Sequence, residues 1–155
     1  MEVLYNTLLV AYDKEDEKTF IDLINEINDE KLLFMIFLEI CRPEIWNKNC
    51  CRAVVNKLNL SETQLRLCLL FKSSYMEEIC LLKNKNYDRK LKYDYRRMLE
   101  KNERTSELLK ELDAECKLQF HGRIDDFNMI ERWLNKIEEM EKHIDKRVVH
   151  YEVDI

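Results

Sequence analysis

Apolar residues recur at helical spacing along almost the whole chain. In "EVLYNTLLVAY", residues about 2–12, Val3, Leu4, Leu8, Ala11 and Tyr12 form one stripe. Phe20, Ile21, Ile24 and Ile27 form the next, over about 16–28. The acids of "DKEDEK" suit that helix's start, and Asn28-Asp29 its end, with Asp29 capping the helix that follows. Residues about 30–41, "EKLLFMIFLEIC", are apolar on nearly every side, so the predicted helix must be enclosed by others. Pro43 suits the first turn of a helix over about 44–59 that carries Trp46, Cys51, Val54, Val55 and Leu58. Ser61 with Gln64 is a capping box, opening a helix to about residue 82. Residues 1–82 therefore predict a bundle of about five helices.

Beyond "NKN" at 84–86 the texture changes. No helix breaker lies between Tyr87 and Phe120, which predicts one helix of roughly 34 residues, about 50 Å long. Leu91, Tyr95, Met98, Asn102, Thr105, Leu109, Leu112 and Cys116 fall on a heptad seam. A second seam, over about 124–148, runs through Phe127, Ile130, Leu134, Ile137, Glu141, Ile144 and Val148. Gly122 stands between them, where a left-handed residue ends a helix most cheaply. The expectation is an antiparallel, coiled-coil-like hairpin over 83–148, turning at 121–123 and either projecting from the bundle or lying on it. Folding the seams about Gly122 opposes Cys116 to Phe127, Leu109 to Leu134, Met98 to Ile144 and Tyr95 to Val148. It also brings Asn102 opposite Glu141, a polar pair that would specify register. A competing assembly is a homodimer in which the seams of two chains pair. The tail, 149–155, alternates: Val149, Tyr151, Val153 and Ile155 share one side, a strand pattern suited to the edge of a partner's sheet. A frayed terminus is the plainer reading.

Composition agrees with an all-α fold, since one glycine and one proline leave almost no turn vocabulary for sheets. The net charge of −5 recruits neither nucleic acid nor an anionic membrane globally, and "LLFMIFL" is far too short to span a bilayer. Six cysteines show no C-x-x-C and no paired histidine. They read as buried, reduced thiols of an intracellular protein, cytoplasmic or nuclear, and no metal site or cofactor is expected.

Charge is distributed unevenly. Residues 83–104 hold nine Lys or Arg against four acids. Lys83, Lys85, Arg89, Lys90, Lys92, Arg96 and Arg97 interleave with Tyr87, Tyr93 and Tyr95, the arrangement that lets cations track phosphates while rings stack on bases. The competing reading pairs these cations with Asp88, Asp94 or an acidic protein surface. There is no phosphate loop and no nucleophile elbow. Glu139 and His143 are within reach at i, i+4, but "EEMEKHIDK" reads as a solvated flank, and no catalytic residue is expected. The expectation is a non-enzymatic module that binds another protein, as adaptor, scaffold or complex subunit. The alternative is an RNA- or DNA-associated factor acting through 83–97.

Overall fold

The computed structural model describes residues 2–40, 47–70, 89–120 and 127–144. The described residues form eight α-helices and no strand. The contacts divide the chain into two compact units, Met1–Asn59 and Leu60–Ile155.

The first unit holds α1 (Glu2–Asp13), α2 (Glu17–Glu26), α3 (Glu30–Ile40) and α4 (Lys48–Lys57). Capping side chains start α2, α3 and α4. Asp16 Oδ1 accepts from the Thr19 amide at the head of α2. Hydrogen bonds from Thr19 hold the Asp16 carboxyl below its ordinary value. Asp29 Oδ1 accepts from the amides of Lys31 and Leu32, capping α3 as the sequence predicts. Asn47 caps α4 by accepting from the Cys50 amide, and its own Nδ2 donates to Glu17 at 2.9 Å. The Lys57 ammonium donates to the carbonyls of Asn25 and Ile27, groups that the end of α2 leaves without helical partners.

Every residue from Leu32 to Ile40 is buried, as an all-round apolar helix requires. Burial of each such Leu, Ile or Phe contributes about 1.5–3 kcal/mol before chain entropy is counted. Tyr12 joins three helices. Its ring lies 5.5 Å from that of Phe20 in α2, and its hydroxyl donates to the Ile40 carbonyl and accepts from the Asn47 amide. The buried stripe of α1 is Tyr5, Leu8, Leu9, Ala11 and Tyr12. The sequence reading had Val3 in that stripe; it lies a turn of the wheel away, in solvent. Pro43 and Trp46 lie outside the described residues.

The second unit holds α5 (Glu62–Leu70), α6 (Arg89–Lys101), α7 (Glu103–Phe120) and α8 (Phe127–Glu141). Ser61 Oγ accepts from the Gln64 amide while Gln64 Oε1 accepts from the Ser61 amide, so the predicted capping box is formed. The helix that it opens groups with the C-terminal helices, not with the four that precede it. Each helix of this unit packs on two others: α5 on α6 and α8, and α7 on α6 and α8. The four close a ring.

The predicted 34-residue helix does not exist as one rod. It breaks at Asn102, and α6 folds back onto α7. Asn102 Oδ1 accepts from the amides of Arg104 and Thr105, and its carbonyl takes the first helical hydrogen bond, from Ser106. Asn102 is therefore an N-cap, and helix cannot run through it in this conformation. The Thr105 hydroxyl, fully buried, lies 2.5 Å from the Leu99 carbonyl and 3.1 Å from that of Asn102, satisfying the end of α6. The Arg96–Asp113 ion pair closes the corner, although the two residues are 17 apart in sequence. On a straight helix they would stand about 25 Å apart. Tyr95 and Met98 thus do not prolong the seam of α7, and among the described side chains of α6 Tyr95 and Leu99 are buried.

The α7 seam itself is buried at Thr105, Leu109, Leu112 and Cys116. The α8 face is buried at Ile130, Trp133, Ile137, Met140 and Glu141. Lys136 lies 3.6 Å from Glu111 and 3.5 Å from Glu115, while Asn102 Nδ2 donates to the His143 carbonyl. These two ties place α7 and α8 antiparallel. Gly122 and the turn at 121–123 lie outside the described residues.

Candidate functional site

Three groups of residues bear on function: the basic segment, a buried polar cluster in the second unit, and the exposed apolar surface of the first.

Of the basic segment, Lys83 and Lys85 lie outside the described residues. Arg89, Lys90 and Lys92 fall in the first turns of α6. Arg96 is committed inside the unit: Nε donates to Glu100 at 3.2 Å, Nη1 to the Leu70 carbonyl at 3.4 Å and Nη2 to Asp113. A guanidinium already held by two carboxylates and a carbonyl has little left for a phosphate. Arg97, its neighbour, is exposed. Tyr95, one of the interleaved rings, is 1% exposed and serves the core instead of stacking on a base. The tail residues Val149, Tyr151, Val153 and Ile155 lie outside the described residues.

The buried cluster joins α5, α6 and α8. Arg66 Nη1 lies 2.7 Å from Glu141 Oε1, with side chains only 7% and 5% exposed. Arg66 Nη2 also meets Glu62 at 2.5 Å, one turn earlier on the same helix. Tyr95 is close enough to be influenced by both charges. Its phenol is pushed above its ordinary range chiefly by burial, then by the negative Glu141, with Arg66 opposing. Its buried hydroxyl has no hydrogen-bond partner among the described residues. The ion pair ties α5 to α8, and burial of Tyr95 from α6 beside it keeps the phenol protonated. Of the two polar seam residues, Asn102 caps α7 and donates to the His143 carbonyl, and Glu141 receives Arg66. Arg66 escaped the sequence reading, yet a lone cation within "LRLCLLF" is the signal of a buried charge with a distant partner.

Cys50, Cys51, Cys68 and Cys116 are buried cysteines. Burial first, then the nearby Asp113 and Glu115, push Cys116 up to about 12; burial and then Glu17 do the same for Cys50. Glu139 and His143 do approach, at 3.7 Å on the surface of the last turns. The Glu139 carboxyl is held below its ordinary value mainly by Lys142. Among the described residues no three His, Cys, Asp or Glu side chains could hold a metal ion. No described helix is long and apolar enough to cross a membrane.

In the first unit, Val3 is 80% exposed and Val10 47%, the large apolar side chains left in solvent among the described residues. They are seven apart on α1, on one face, with Thr7 between them. The Thr7 hydroxyl donates back to the Val3 carbonyl at 2.8 Å, so this strip offers a partner apolar surface with its one polar group already satisfied. An open groove of about 370 Å³ lies between α1, α2 and the joint into α3, with Leu4, Leu23, Ile27 and Leu32 along it and Glu26 and Asp29 at its rim.

No family model, curated protein or solved structure matches the chain. The functional reading is therefore built on this chain's own residues.

Proposed function

We propose that the chain is a non-enzymatic interaction module, an adaptor, scaffold or subunit that engages another protein through a helical surface. The observation that carries this reading is the Val3–Thr7–Val10 strip. Single exposed apolar residues are ordinary, but here both exposed valines fall on one face of one helix. The remaining apolar positions of α1 are buried or half-buried against its own unit, so its outer face is what remains to meet a partner. The buried cysteines support an intracellular setting for this role.

The test replaces Val3 and Val10 together by Asp. Both are exposed, so the fold should survive, as circular dichroism would show. The tagged wild-type chain is expected to capture a stoichiometric protein from lysate of the cells that express it. The variant should lose that protein by about tenfold or more, as for a charge driven into an apolar interface. Equal capture by wild type and variant would remove this surface from the reading.

A further inference from the structure

We infer that the groove on the first unit docks a basic amphipathic helix of a partner protein. This rests on the interaction-module reading and gives it a second surface, separate from the outer strip of α1. Four aliphatic residues line the groove, together with Glu26, Asn28 and Asp29. Ile27 and Leu32 are buried, while Leu4 and Leu23 are half-buried and so still have surface to cover. A volume of about 370 Å³ accommodates a few aliphatic side chains. A groove bounded by helices suits apolar anchors at i, i+3 or i+4, and i+7 of an incoming helix.

The rim decides the charge of the occupant. Glu26 and Asp29 are exposed at its edge, and residues 22–31 hold four carboxylates against one lysine. Lys57, the nearby cation from α4, is occupied by the carbonyls of Asn25 and Ile27. Lysines or arginines flanking the apolar anchors would meet Glu26 and Asp29; an acidic helix or an anionic lipid surface would be repelled.

The probe is a synthetic helical peptide of about 15 residues with Leu at i, i+4, i+7 and i+11 and Lys at the flanking positions. Its twin carries Glu for every Lys. Each is titrated into the full-length, nitrogen-15-labelled chain and followed by amide shifts. The Lys peptide should move the amides of Leu4, Leu23 to Asp29 and Leu32, and bind more weakly as salt rises. Glu26→Lys, at an exposed position, should weaken it about fivefold, and the Glu twin should leave those amides in place. Leu23→Ser gives a second variant that reports on the aliphatic lining and should also weaken binding. Shifts centred elsewhere, equal binding of the twin, or indifference to both variants would overturn the groove. If the peptide leaves the groove untouched while Val3 and Val10 still govern capture of a protein partner, the groove fails and the interaction reading stands. If both are lost, both fail.

Discussion

Arg66 and Glu141, 75 residues apart in sequence, meet 2.7 Å apart inside the second unit. Each charge has lost most of its water, so each depends on the other. Removing Arg66 takes the cation from the buried Glu141 carboxylate, whereas removing Glu141 leaves Arg66 with the exposed Glu62. Arg66→Met is expected to cost about 3 kcal/mol, and Glu141→Gln less. Replacing both by Leu should recover most of that loss, because two apolar side chains of similar size avoid the desolvation cost altogether. Urea unfolding followed by the fluorescence of buried Trp133 measures this as a midpoint shift at constant slope. If the double variant lost as much as the sum of the singles, the two charges would not be acting as a pair.

The corner at Asn102 gives a second prediction. Asn102→Ala removes the N-cap of α7 and is expected to cost about 1 kcal/mol, while Asn102→Asp keeps an accepting oxygen and should cost less. The geometry is checked by spin labels at the exposed residues Arg97 and Lys110. A continuous helix would separate their backbones by about 20 Å, whereas a folded-back corner brings them to roughly half that.

The thiols give a pH dependence. Cys116 keeps its proton up to about 12 in the fold, against an ordinary value of 9.0. Between those values the unfolded chain has lost a proton that the folded chain still holds, so stability should fall as pH rises through that window. Cys50 contributes in the same direction. At pH 8 both should be nearly inert toward a disulfide reagent in the folded protein and react fully in urea. Rapid modification of either in the native state, located by peptide mass spectrometry, would contradict the burial described above.

Much of the local structure is legible in the sequence, because local chemistry decides it. Asp29 and the Ser61–Gln64 box cap the helices they are expected to cap. The enclosure of Leu32–Ile40 follows from its all-round apolar pattern. The break at Asn102 had a signal too, since Asn followed by Glu103 is a helix start; the heptad seam running through it masked that signal, and a polar residue on a seam was read as a register pair. The separation of α5 from the first four helices was not legible, because it rests on packing against α6 and α8, which lie far along the chain. Nor was the exposure of Val3: its spacing fits the stripe of α1 until Tyr5 and Leu9 are seen to occupy the buried face instead. Periodicity shows that a face exists, and only packing shows which face is covered.

We propose that this chain acts by binding another protein. Affinity capture of the tagged chain from native lysate, divided into nuclease-treated and untreated halves and read by mass spectrometry, decides this. A stoichiometric protein partner is expected in both halves. Associations that disappear with nuclease would contradict it and point instead to nucleic acid bound through the cations of residues 83–97.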